Sequence, residues 1–120
     1  MNDIDSRLVK ETIEDLKTNP EACTTVGGMA MADGTVVIPE SMPGEKLSKF
    51  IRYLYDNDLI NENYLEDRKK IEDKDISELS VDETLTELTS IIRGDRFCSS
   101  LLKAKVDDGT VLKLLENLIK

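Results

Sequence analysis

Histidine and tryptophan are absent from the sequence, and its 120 residues include only two cysteines, two phenylalanines and three tyrosines. Without histidine there is no imidazole general base, no Ser-His-Asp or Cys-His catalytic arrangement and no imidazole metal ligand. Two cysteines are also too few for a zinc site made of cysteines alone. Carboxylates and lysines remain available for catalysis, but no set of them stands out. We therefore expect no catalytic residues, no cofactor and no metal, and the composition favours a protein that is not an enzyme.

Long hydrophobic runs are missing too. No stretch reaches the roughly 18 apolar residues that a membrane-spanning helix needs. The N-terminal segment MNDIDSRLVKETIEDL is acidic and has no apolar core of the kind found in secretory signals. The spacing of Cys23 and Cys98 does not demand a disulfide bond. These absences predict a cytoplasmic protein with no membrane partner.

The charge of the chain is strongly of one sign, with 25 acidic residues, 16 basic residues and a net charge of −9. An acidic chain repels phosphate backbones and anionic lipid headgroups at long range. Nucleic acid is therefore a disfavoured partner, although a local basic patch would override this repulsion. A protein partner or self-association is the expected kind of interaction.

What the sequence does contain is a series of apolar stripes at helical spacing. With 39% hydrophobic residues and few aromatics, the chain has enough aliphatic side chains for one core, and its length fits a single domain over residues 1–120. The predicted fold class is mainly α with a minor β element, in a compact bundle of about five to six helices. The predicted helices cover residues 4–18, 45–56, 64–73, 81–93 and 96–106 and a last segment that buries Val111, Leu114, Leu115 and Leu118.

The minor β element is a short hairpin near residues 26–38. Asp33-Gly34 is a two-residue turn signal, because a type I′ turn needs a positive φ at both central residues. The hairpin buries one apolar face on the helices, since two strands alone are only marginally stable. The strand pairs that follow from this turn are Met31 with Val36 and Met29 with Ile38.

Capping residues indicate where several helices begin. Asn2 or Asp3 can cap the first helix. Two pairs have the spacing of a capping box, in which the side chain of each residue binds the backbone N–H of the other. These pairs are Asn63 with Glu66 and Ser80 with Glu83.

The segment SIIRGDRFCSSLL, residues 90–102, contains an Arg-Gly-Asp tripeptide. A cell-adhesion motif would lie on an exposed loop of a secreted protein, and the sequence agrees with neither condition. A corner between two helices explains each residue instead. Arg93 lies in the last turn of the first helix, where a positive charge suits the helix dipole. Gly94 ends that helix in a left-handed conformation, and Asp95 caps the next one.

The same corner holds the candidate binding site, Arg93, Arg96 and Phe97. Arg96 lies in the first turn of the second helix, where a cation opposes the dipole, and it follows Arg93 by three residues. Two cations so placed need an anion nearby. Either an internal carboxylate such as Glu87 or Asp95 supplies it, or a bound ligand or acidic partner does.

An alternative function is nucleic-acid binding through a helix-turn-helix at residues 81–106. Its turn would be Gly94-Asp95, and its second helix, 96–106, would enter the major groove. The residues that would face the groove are Arg96, Ser99, Ser100, Lys103 and Lys105. The net charge opposes this alternative, so a non-enzymatic protein-interaction module is the favoured function.

The segment ELTSIIRGDRFCSSLLKAKVDDGTVLKLLENL, residues 87–118, resembles the C-terminal signature of a small uncharacterised family of bacterial and archaeal proteins, a domain of unknown function. The segment FIRYLYDNDLI, residues 50–60, is similar to the helix that precedes this signature, and the family has a glycine where this chain has Ser99 or Ser100. The resemblance covers roughly half of the chain. It implies a prokaryotic, intracellular protein and carries no known activity. The matching positions are Leu88, Thr89, Arg93, Arg96, Phe97, Leu101, Leu102, Gly109, Leu115 and Leu118.

Overall fold

The computed structural model describes residues 4–26, 34, 40–95 and 100–119. In this part the chain forms six α-helices, one 3-10 helix and one two-stranded antiparallel sheet, which confirms the mainly α fold class with a minor β element. The elements in chain order are α1 (Ser6–Thr18), β1 (Cys23–Val26), β2 (Glu40–Pro43), α2 (Glu45–Asp56), α3 (Tyr64–Lys69), the 3-10 helix (Ile76–Glu78), α4 (Val81–Gly94), α5 (Leu101–Asp107) and α6 (Thr110–Leu118).

The core is aliphatic, as the composition predicts, with Phe50 as its one fully buried aromatic ring among the described residues. The last helix, α6, packs against α1, α4 and α5, so it lies at the centre of the bundle. Its four predicted core residues are all buried, and Leu114 and Leu115 have no exposed surface. Within the described ranges, no helix combines the length and the apolar character needed to cross a membrane.

The helix starts agree only in part with the predicted caps. Ser80 and Glu83 form the predicted capping box, with N–H···O distances of 3.2 and 3.0 Å. Asn63 does precede α3, but its side chain caps no backbone N–H, because its φ of −100° and ψ of 27° are not the extended conformation that a capping box needs. The cap of α1 is Asp5, whose carboxylate accepts from the Leu8 N–H at 3.2 Å, and not Asn2 or Asp3.

The third helix is also shorter than predicted, since it ends at Lys69 and not near residue 73. Successive turns follow, with hydrogen bonds from the Ile71 N–H to the Arg68 carbonyl and from the Lys74 N–H to the Ile71 carbonyl. These turns point Ile71 into the core, where it is 5% exposed.

The two strands flank the predicted hairpin range and pair antiparallel, with Cys23 opposite Pro43 and Val26 opposite Glu40. The expected turn at Asp33-Gly34 and its apolar strand pairs involve residues outside the described part of the chain.

Gly94 does not adopt the predicted left-handed conformation. It is the last residue of α4, and Asp95 after it is still right-handed. A Cβ atom at position 94 would lie 2.9 Å from the Leu101 Cδ2 atom. Glycine allows this close approach without a shift of the Leu101 side chain, and its backbone does not reverse here.

The next helix, α5, begins at Leu101 and not at residue 96. Ser100 has a φ of +63°, which no residue inside a right-handed helix can have. Asp95 does bind an N–H of this helix, although it lies seven residues before Leu102 in sequence. Its Oδ1 atom accepts from the Leu102 N–H at 3.0 Å and from the Ser41 hydroxyl at 2.8 Å. The Ser41 oxygen in turn accepts from the Lys103 N–H at 3.0 Å. The sheet and the end of α4 together therefore hold the start of α5.

The left-handed Ser100 leads to a first prediction. We expect Ser100→Gly to be more stable than Ser100→Ala by about 1 kcal/mol, because only alanine places a Cβ in the left-handed region. Both variants remove the hydroxyl, so any hydrogen bond of that group cancels in the comparison. The melting temperatures should differ by about 3–6 °C, with glycine higher. Equal melting temperatures would show that Ser100 is not held in this conformation in solution.

Candidate functional site

Arg93 is the one predicted site residue that the structure describes, and it lies in the last turn of α4. Its side chain is 25% exposed. The guanidinium carbon lies 5.6 Å from the centre of the Tyr55 ring, which is within the range of a cation–π contact. Tyr55 belongs to the last turn of α2 and is itself 39% exposed. The arginine and the tyrosine thus form a small surface between the C-terminal ends of two helices.

The anion that pairs with Arg93 is Glu62, from the connection between α2 and α3. The Nη2 and Oε1 atoms are 3.4 Å apart, and the Glu62 side chain is 83% exposed. Charge-assisted hydrogen bonds of this type are typically about 2.7–2.9 Å long. An ion pair so long and so exposed contributes little to stability, about 0–1 kcal/mol.

The Nε atom of Arg93 is in a different situation. It is buried, and it is the one buried side-chain nitrogen or oxygen of the described residues that makes no hydrogen bond. A buried donor without an acceptor costs free energy. Arginine is also the residue whose planar group binds a carboxylate with two parallel hydrogen bonds.

Neither of the two internal carboxylates that we expected near Arg93 pairs with it. Glu87 pairs with Arg68 at 3.3 Å. Asp95 accepts from Ser41 and from the backbone of α5. An internal ion pair does exist, but its partner comes from a loop 31 residues away in sequence, which helical spacing cannot reveal.

The other two predicted site residues, Arg96 and Phe97, lie outside the described part of the chain. The structure therefore says nothing of how they are placed relative to Arg93. Sequence reasoning missed Tyr55 and Glu62. A signal for Tyr55 was available, since it falls outside the apolar stripe of α2 formed by Leu47, Phe50 and Leu54.

The helix-turn-helix alternative required a two-residue turn between the helices at 81–93 and 96–106. In the structure α4 ends at Gly94 and α5 begins at Leu101, and four of the residues between them, 96–99, lie outside the described part of the chain. Lys103 pairs with Asp107 of its own helix, and its backbone N–H is occupied by Ser41. Nothing in this geometry favours the alternative.

Cys23 is the cysteine that the structure describes, and its thiol is free and buried, with 2% of the residue exposed. Burial raises the pKa of the thiol above its ordinary value, so the unreactive protonated form is favoured. The described residues also contain no group of three or more carboxylates and thiols arranged to hold a metal ion.

Comparison with family models matches residues 1–120 to a family of unknown function, DUF6508. No curated protein and no solved structure matches the chain. This match covers the whole chain, whereas the resemblance seen in the sequence covered roughly half of it. The matched family is one of unknown function, as expected from the sequence, and it assigns no activity.

Proposed function

The chain belongs to the family DUF6508 along its whole length, and we propose that it is a non-enzymatic protein-interaction module which binds an acidic segment of a partner protein at Arg93 and Tyr55. The observation that carries the proposal is the guanidinium of Arg93, which lies over the exposed Tyr55 ring and whose ion pair with Glu62 is long and exposed. The proposed setting is the cytoplasm of a prokaryote.

The chemistry of the two side chains suits an interface. Arginine and tyrosine are enriched among the residues that dominate binding energy, because each joins a large apolar area to a directional polar group. The Tyr55 ring restricts where the Arg93 guanidinium can lie, so less conformational entropy is lost when a carboxylate binds. A partner carboxylate would then accept a charge-assisted hydrogen bond from the Nη2 group, which now faces the exposed Glu62.

Glu62 does not prevent this. Because its side chain is 83% exposed and 3.4 Å from the guanidinium, moving it aside costs only the small free energy of an exposed ion pair. The net charge of −9 repels an acidic partner at long range. Salt screens this repulsion beyond about 8 Å under physiological conditions, whereas a direct hydrogen-bonded contact persists. Arg96 follows Arg93 by three residues in sequence, and we propose that it supplies a second cation for the same acidic segment.

The test uses short acidic peptides, each paired with a counterpart in which Gln and Asn replace Glu and Asp. We expect Arg93→Ala to weaken acidic-peptide binding about tenfold or more, as the loss of a charge-assisted hydrogen bond does. Arg93→Lys should also bind more weakly, because lysine keeps the charge but not the planar fork. Fluorescence anisotropy with labelled peptides measures both changes.

Arg52→Ala is the matched control, since Arg52 is an exposed arginine on α2, and its binding should equal that of the unaltered protein. The proposal requires that Arg93→Ala and the double variant with Arg96→Ala melt within a few degrees of the unaltered protein. A large loss of stability without a change in binding would make Arg93 a structural residue. Tight binding of duplex DNA at low salt by the unaltered protein would favour the nucleic-acid alternative instead.

A further inference from the structure

A cleft of about 630 Å³ lies where the connection between α2 and α3, the end of α3 and the first turns of α4 meet. This volume is within the range of about 300–1,000 Å³ that small-molecule sites occupy. The cleft includes neither Arg93 nor Tyr55. Its chemistry is therefore independent of the interaction surface proposed above.

The floor of the cleft is hydrocarbon. Four of its lining residues are core side chains that are at most 8% exposed, and they come from three different segments of the chain. Such a floor favours the apolar part of a ligand, because covering it removes further apolar surface from water. These four residues are Leu59, Ile60, Ile71 and Leu85.

The rim of the cleft is acidic, with four carboxylates and one ammonium group, that of Lys70. Two of the carboxylates are already bound by neighbours. Asp67 accepts from the Asn61 amide at 2.9 Å and pairs with Lys70 at 3.7 Å. Glu83 accepts from Lys74 at 2.8 Å, and this hydrogen bond, with one from a backbone N–H, holds the pKa of Glu83 below its ordinary value.

The other two carboxylates, Asp58 and Asp82, have no such neighbours. Among the residues that the structure describes, neither side chain has a partner for a hydrogen bond or an ion pair. Asp58 also stands at the C-terminal end of α2, with a φ of +57°. A carboxylate at this end of a helix opposes the helix dipole, so a cation beside it would be favourable.

We infer that this cleft binds a small organic cation, a primary ammonium group on a hydrocarbon body, with the charge recognised by Asp58 and Asp82 and the body lying on the apolar floor. Charge complementarity selects a cation, since two of the four rim carboxylates, Asp58 and Asp82, are not paired with a lysine. A bare metal ion is disfavoured, because no group of three or more candidate ligands in the described residues is close enough together to hold one. The apolar floor favours an organic ion over a hydrated inorganic one.

The probe is n-hexylammonium, titrated into the isotopically labelled full chain while the amide signals of Leu59, Ile60 and Thr86 are followed by NMR. We expect a dissociation constant of about 1 mM, as for other ligands with so few atoms. Asp58→Asn and Asp82→Asn should each weaken binding about five- to tenfold, as the loss of a partly exposed charged partner does. Asp56→Asn is the matched control, because Asp56 lies two residues from Asp58 and does not line the cleft; it should bind normally.

A series of alkylammonium ions of increasing length tests whether the hydrocarbon body lies on the apolar floor. From n-butylammonium to n-hexylammonium, each methylene should strengthen binding about three- to fourfold. Asparagine tolerates a positive φ as well as aspartate does, so Asp58→Asn should fold and melt no lower than the unaltered protein.

Several outcomes would overturn the inference. The first is unchanged hexylammonium binding in the Asp58→Asn, Asp82→Asn double variant. The second is equal binding of n-hexanol, which would make the cleft a purely apolar site. The third is binding of a lysine-containing peptide without binding of free amines, which would make the occupant a partner side chain. Arg93→Ala should bind the amine normally. Failure of the amine test therefore does not imply failure of the peptide-binding proposal, and the reverse also holds.

Discussion

Replacing Asn117 by alanine is expected to lower the free energy of unfolding by about 2–4 kcal/mol. Asn117 is 7% exposed, and its amide nitrogen donates to the Leu79 carbonyl at 2.9 Å and to the Thr84 hydroxyl oxygen at 2.7 Å. These bonds join α6 to the segment that leads into α4. Alanine removes both bonds and deprives two buried acceptors of their donor, which costs more than the loss of the same bonds in water.

Urea denaturation followed by circular dichroism measures this loss. Asn117→Asp separates the donor from the shape of the side chain, because aspartate is nearly isosteric but has no N–H groups. It should be at least as destabilised as the alanine variant. Lys113→Ala, on the exposed side of the same helix, should change the free energy by less than about 0.5 kcal/mol. If Asn117→Asp were as stable as the unaltered protein, the two hydrogen bonds would not be what holds α6 in place.

The largest loss of stability is expected for Phe50→Ala, at about 3–5 kcal/mol. Phe50 is 1% exposed, and its ring centre lies 6.4 Å from that of Tyr53, with the ring planes tilted by 30°. The Tyr53 hydroxyl accepts from the Asp5 N–H at 2.9 Å, so the two rings also support the start of α1. Because domains of this size are stable by only about 5–15 kcal/mol, this single substitution removes a large share of the total.

The graded series Phe50→Leu and Phe50→Ala tests whether cavity formation is the cause. Leucine keeps most of the buried volume, so its loss should stay near 1–1.5 kcal/mol, about a third of that of alanine. Lys49→Ala, the exposed neighbour on α2, serves as the control for helix propensity and should be nearly neutral. Equal losses for leucine and alanine would contradict the cavity explanation and indicate that the ring contact itself is decisive.

Local signals in the sequence were enough for most of the helices. The helix predicted over residues 45–56 matches α2 (Glu45–Asp56), because its apolar stripe and the residues that bound it are all local. The Ser80–Glu83 capping box forms as predicted for the same reason. The predicted end of α3 near residue 73 was wrong: the helix ends at Lys69, and Ile71 just after it lies buried in the core.

At the corner after α4, the sequence correctly indicated that Gly94 lies at the end of the helix but gave the wrong reason for a glycine there. We predicted that Gly94 ends α4 by adopting a positive φ, but its φ is not positive, and its missing side chain leaves room for Leu101 instead. The left-handed position is Ser100, where the family resemblance places a glycine at this position or the one before it.

Buried threonines on α4 show most clearly what sequence periodicity cannot reveal. Thr84 and Thr89 are at most 1% exposed, yet their pattern suggests a polar helix face. Their hydroxyls donate to carbonyls one turn earlier in α4 and accept from Asn117 and from the Asn61 N–H. A buried hydroxyl is tolerated only when it is hydrogen-bonded, and the donors that satisfy these two lie 28 and 33 residues away in sequence.

By itself the sequence thus determined the fold class, most of the helices, the aliphatic core and the lack of histidine chemistry, because each of these depends on composition or on residues within a few turns of one another. Only the tertiary structure determined which groups meet. It placed Tyr55 and Glu62 against Arg93, left the Nε atom of Arg93 without an acceptor, and brought Asp58 and Asp82 to one cleft. The physical reason is that ion pairs, stacking and clefts depend on distances between segments far apart in the chain, and the packing of the helices sets those distances.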